Sequence, residues 1–215
     1  MQEYEISFDG KSFRLEGLPF AAIVVQLDGP EAKWLADHAL HQYDLKFAQG
    51  CLDRLASATD DPTLVLEAVW RSAVASFVKC FDSTGVRTPI DAAVLYAGDP
   101  AASAAYNHIR DLRRKHIVHD ENPWTQCYPV AILNSKGTSK KVADIRCVAF
   151  HGDTRENVPN LANLIYMALK WLNEEFDRRH ASLLAKLEQE DYDVLARLPQ
   201  PTYTAPTAGE VRRKR

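Results

Sequence analysis

The sequence predicts a mainly α-helical fold, an up-and-down bundle of four or more helices with small β-hairpin additions. Three observations carry that expectation. Apolar residues recur at alternating spacings of three and four over long stretches, the pattern of a helix with one buried face. Asp-Gly-Pro, Asp-Asp-Pro and Asp-Pro steps stand directly before such stretches, where Asp caps a helix and Pro suits its first turn. Alternation with a period of two is confined to the N-terminus and to a region near 128–151.

Taken in order, YEISF and SFRLEG flank Asp9-Gly10, a hairpin signal, and AAIVVQL (21–27) reads as a third strand. A helix then runs from Pro30 to about 57, with Trp34, His38, His41, Leu45, Ala48, Leu52 and Leu55 on one stripe. After Asp60-Asp61-Pro62, TLVLEAVWRSAVASFVKCF is apolar on nearly every side, as a central bundle helix should be. Asp82-Ser83-Thr84-Gly85 break it, and a short helix fits 89–97, closed by Gly98.

Asp99-Pro100 opens a helix through YNHIRDLRRKHIVHD. Its predicted stripe is Ala105, Ile109, Leu112, His116 and His119, and Asn122-Pro123 stops it. CYPVAILNS and VADIRCVAFHG read as two strands joined by the turn KGTSKK. Asn157-Val158-Pro159 starts the last long helix, with Leu161, Ile165, Ala168, Leu172 and Phe176 facing the core. The domain expectation is a β addition over 1–27, a helical bundle over 28–195 with a β-hairpin insert at 128–151, and a disordered, Pro-rich basic tail over 196–215.

Composition narrows the function classes. The chain has 215 residues, 46% hydrophobic and 26% charged, the balance of an ordinary globular protein. A net charge of −3 advertises no nucleic-acid partner for the molecule as a whole, so any basic surface is local. Cys51, Cys80, Cys127 and Cys147 include no CxxC pair and read as buried thiols of a reducing compartment. The N-terminus lacks the features of a signal peptide, and no apolar run approaches the ~20 residues of a membrane span. A cytoplasmic location with no membrane partner is the expectation.

The sequence holds no phosphate-binding glycine loop, no nucleophile elbow and no HExxH. The segment 110–120 stands out instead. Arg110, Arg113, Arg114 and Lys115 are four of the chain's 26 basic residues, and His116 and His119 are two of its seven histidines. Arginine offers phosphate a planar fork of donors, and histidine exchanges protons near neutral pH.

RRKHIVH (113–119), at the end of a helix that soon stops, resembles the Arg-x(4–6)-His signature of HEPN domains. WRSAVASFVKCF (70–81) is similar to the second-helix pattern of that family's abortive-infection branch, and residues 30–190 or so are covered. The resemblance implies a helical bundle acting as a dimer, often a metal-independent RNase of toxin–antitoxin or phage-defence systems. The resemblance also implies an inhibitory protein partner for such a toxin. It implies His119 in acid–base work on the ribose 2′-OH or leaving oxygen, and Arg113 stabilising phosphoryl charge. The shorter register pairs Arg114 with His119. Arg110, Arg114, Lys115 and His116 are the residues expected to hold nucleic acid, and no cofactor or metal is called for. One departure stands out: family members often carry Asn after the arginine, and here that residue is Arg114.

On an ideal helix the six steps from Arg113 to His119 turn the chain by about 600°, leaving the two roughly 120° apart. The family's solution is a cleft in which motifs of two subunits face each other. Plainer readings stand beside this one. His116 fits a hydrogen-bonded core position, and His119 fits a helix C-terminus, whose dipole favours it. The basic cluster fits a solvated helix face, with Asp111 four residues before Lys115. His116-x2-His119 with Asp120 or His108 could hold a metal, but completes no familiar ligand pattern. Trp124 suits a packing cap or a base-stacking ring. The alternative function is a non-catalytic HEPN-like dimeric module binding RNA, a nucleotide or a protein, and an unrelated helical protein is the third reading.

Overall fold

A computed structural model describes residues 5–8, 13–16, 20, 23–57, 62–83, 86–119, 124–137, 139–202 and 207–209. The chain is mainly helical with small antiparallel hairpins. Its elements are β1 (Glu5–Phe8), β2 (Phe13–Glu16), α1 (Pro30–Ser57), α2 (Thr63–Lys79), α3 (Ala92–Leu95), α4 (Pro100–Leu112), β3 (Thr125–Leu133), β4 (Val142–His151), α5 (Val158–Leu187) and α6 (Tyr192–Ala196). A π turn, Arg113–Val118, continues α4, and a 3₁₀ turn, Arg155–Asn157, precedes α5. No helix among the described residues is long and apolar enough to cross a membrane.

Two compact units share the chain. One comprises Met1–Ala39, Val86–Thr88 and Glu174–Arg215, the other Leu40–Gly85 and Pro89–Asn173.

In the first unit β1 pairs antiparallel with β2, Glu5 opposite Glu16 and Phe8 opposite Phe13; the Asp9-Gly10 turn lies outside the described residues. The expected third strand is absent over residues 23–27. The amide of Gln26 donates instead to the carbonyl of Pro199 at 2.7 Å, so this stretch takes its backbone partner from the C-terminal segment. The helix expected to run towards 195 ends at Leu187, and Asp191 caps a separate short α6 by accepting from the Asp193 amide at 2.8 Å. Of the residues placed in the tail by the sequence, Ala196 ends α6 and 197–202 follow directly from it, with the Leu198 amide bonded to Leu195.

Asp37 is fully buried in this unit. Its carboxylate is paired with Lys33 and accepts from the Thr88 amide at 2.9 Å and hydroxyl at 3.2 Å. Burial pushes its pKa up, but the bonds from Lys33 and Thr88 outweigh burial and hold it at about 2. Trp34 stacks on His38 with centroids 3.4 Å apart, and the Arg179 guanidinium lies 4.1 Å from the Trp34 ring centroid.

The second unit holds the apolar core. Leu45, Ala48 and Leu52 of α1 are buried in it with Trp70, Ala73, Val74 and Phe77 of α2. Ile109 and Leu112 of α4 join them, as do Leu161, Leu164, Ile165, Ala168 and Leu172 of α5. The stripes predicted for α1 and α5 thus supply core residues, while Phe176 is only half-buried. Trp70 fills the centre as a buried side chain, and its Nε1 donates to the Thr154 hydroxyl at 2.8 Å. Asp99 caps α4 by accepting from the Ala102 amide at 2.9 Å, with Pro100 in the first turn. Gly98, at φ +82°, makes the left-handed step before that cap.

The expectation of buried thiols fails for the two cysteines of the β3–β4 hairpin, because of where that hairpin is placed. Cys80 is buried and Cys51 half-buried, but Cys127 and Cys147 are exposed. From Cys127 to His151 every described residue of the hairpin is exposed.

Candidate functional site

The π turn decides where the 110–119 side chains go. An α-helix would carry the stripe of Ile109, Leu112 and His116 on to His119. The i→i+5 turn over Arg113–Val118 interrupts that progression, and His119 follows in extended conformation at φ −132°, ψ 136°. His119 is therefore exposed, not a member of the buried stripe. Tyr106 and Ala102 are buried on the α4 face, whereas the predicted Ala105 is half-buried.

Arg110, Arg113 and Arg114 converge on an open cleft of about 300 Å³, walled by Val78, Phe81 and Tyr106 and bordered by Asp82 and Ser83. The Arg110 guanidinium lies 5.8 Å from the Tyr106 ring centroid. Burial raises the Tyr106 pKa, and Arg110 opposes that rise, so the phenol stays neutral at physiological pH. Arg114 reaches Asp111 at 3.4 Å, a long, exposed contact. No carboxylate of the described residues pairs with Arg113. The residues lining the cleft thus include three arginines and a single acidic residue, Asp82. Lys115, on the same π turn, is half-buried.

His116 points elsewhere. It is 6% exposed and lines a second cleft of about 370 Å³. Glu67 and Arg71 of α2, His151 at the end of β4, and Asp153 and Arg155 complete that cleft's polar lining. Here the charges are matched. Arg71 bonds Glu67 at 2.6 Å, and Arg155 grips Asp153 through Nε and Nη2 at 2.8 and 2.7 Å. The hydrogen bond from Arg155 holds Asp153 below the usual carboxylate range, and Asp153 in turn raises Arg155. Trp124 approaches His116 with ring centroids 6.3 Å apart, the packing role rather than an open stacking platform.

The structure therefore brings Arg110, Arg113 and Arg114 together, and separates them from His116; His119 lines neither cleft. The Glu67–Arg71 pair was visible as an i,i+4 spacing, but nothing local ties His151, Asp153 or Arg155 to His116. Tyr106 was missed because an aromatic one position off the assumed stripe reads as surface. No trio of His, Cys, Asp or Glu among the described residues is arranged to hold a metal ion.

Fold and site together define a helical protein with a basic cleft at the end of a π-terminated helix. No protein-family model, curated protein or solved structure matches the chain.

Proposed function

We propose that this protein is a metal-independent endoribonuclease of the HEPN type, acting as a dimer. One observation carries the reading: the end of α4 presents three arginines in an open cleft, and the residue just beyond the π turn is an exposed histidine. Arg113, with no carboxylate partner among the described residues, is available to a phosphoryl group. Arg110, Arg114 and Lys115 track the RNA backbone beside it. His119 exchanges the proton of the ribose 2′-OH or the leaving 5′-oxygen. Within one copy the arginines and His119 diverge, so the second copy's motif completes the constellation. His116, nearly buried, holds the π turn and touches RNA only at the edge of its cleft. A toxin or defence role, with an inhibitory partner, is part of the same reading.

A second reading has its own support. Arg114 stands in the cleft where the family carries a small polar residue, and it reaches Asp111 rather than His119. On that reading the cleft binds RNA, a nucleotide or a protein partner without cutting.

Cleavage of RNA by wild type, Arg113→Ala and His119→Ala, each in EDTA, separates the two. A nuclease cuts under EDTA, and both variants lose about two orders of magnitude or more. A folded wild type that binds RNA without cutting it leaves the binding module.

A further inference from the structure

The β3–β4 hairpin is an arm whose apolar side chains cover nothing in its own unit. Its register places Tyr128, Val130 and Ile132 on one face with Val148 and Phe150, and all five are 37–58% exposed. Leu133 and Ile145 are more exposed still, at 69% and 68%. A two-stranded ribbon is marginal in water unless a face is packed, so this arm is built to be covered.

Its edges are closed to a further strand. Pro129 lacks an amide in the middle of β3, and on β4 the Asp144 carboxylate accepts from the Ile145 amide at 2.8 Å. The faces and the tip are what the arm offers. The tip is basic: Lys136, Lys140 and Lys141 flank the turn. Residues 124–151 carry four cations against one carboxylate, a net of +3, which leaves −6 on the remainder of a chain whose net charge is −3.

A matching surface exists on the same chain. Where α5 gives way to α6, Glu188, Glu190, Asp191 and Asp193 are exposed in a run of six residues. Beside them, Phe20, Ile23, Tyr192 and Leu195 line an apolar cleft of about 190 Å³. Phe20 is 97% exposed and Tyr192 66%.

From this we infer that the occupant is a second copy of this chain. The arm tip of each copy docks at the acid-rimmed cleft of the other, Ile132 and Leu133 entering the cleft while Lys140 and Lys141 meet Glu188 and Glu190. Made twice about a two-fold axis, this contact gives a dimer rather than an open chain of copies. The apolar residues supply the buried area and the lysines fix register and partner. The inference goes beyond the nuclease reading and uses neither Arg113 nor His119.

Sedimentation of the full chain over the micromolar range tests it, with Lys140→Glu/Lys141→Glu and Glu188→Lys/Glu190→Lys as exposed, charge-reversing variants. Wild type is expected to be a dimer that weakens with salt, and each variant to weaken it about tenfold or more. An equimolar mixture of the two variants should regain dimer, because both tip–cleft contacts of the mixed pair are complementary, one with the native charges and one with the charges exchanged. A monomeric wild type, a dimer indifferent to both variants, or a mixture no better than its components overturns the proposal. So does a lysine variant that loses RNA binding while sedimenting as wild type, which would make the arm a nucleic-acid element.

Discussion

The indole of Trp124 occupies the space that a side chain at Gly152 would need, and the Gly152 amide donates to the Trp124 carbonyl at 2.7 Å. This pair clamps the root of the β3–β4 arm. Gly152→Ala should cost about 1–3 kcal/mol, the range for overpacking a filled site. Amide exchange should accelerate first in the arm. A denaturation midpoint and arm protection indistinguishable from wild type would show that the indole moves aside freely.

Thr154 ties the turn after the arm to the core through Trp70. Thr154→Val keeps the shape but removes the acceptor, leaving the Trp70 Nε1 buried without this bond. Such a loss costs about 1–3 kcal/mol. The thermal midpoint should fall accordingly, and a value within error of wild type would place a compensating acceptor at Nε1.

Acid should expose the contribution of Asp37. Its carboxyl is held at about 2 against an ordinary 3.8, so the folded state binds its proton less readily than the unfolded state. Stability from this group is fully present above pH ~4 and is lost as pH falls from there through about 2. Half-exposed Lys33 tempers the effect, which is on the order of 1–2 kcal/mol. Urea denaturation between pH 6 and 2 should show a shallower acid loss for Asp37→Asn than for wild type. Parallel profiles would assign the acid loss to other groups.

The basic cleft predicts a salt signature. If Arg113 and Arg114 contact RNA phosphates, alanine at either should lower the slope of log affinity against log salt by about one. His119→Ala should leave that slope unchanged. Equal slopes for all three variants would move RNA off the cleft.

Much of the fold was legible because its causes are local. The stripe through Leu45, Ala48 and Leu52, the Asp99–Pro100 start and the Asn157–Pro159 start each depend on residues within a few turns of one another. The candidate site was half legible. Arg110, Arg113 and Arg114 share a cleft as residues three and four apart can, but His116 and His119 were both assigned to one straight-helix stripe. The π turn broke that assumption. One added residue in a turn rotates everything after it, and a propensity pattern does not register such a change.

The helical class, the core stripes of α1 and α5, the two hairpins and the basic, histidine-bearing end of α4 were already written in local residue patterns. These follow from spacing, capping and strand alternation, which operate over neighbouring residues. Long-range packing is what buries Asp37 with Lys33 and Thr88, sets His116 in a cleft with Glu67 and His151, and leaves Tyr128 and Phe150 uncovered on the arm. Periodicity marks which face of an element is apolar. What lies against that face depends on residues distant in the chain.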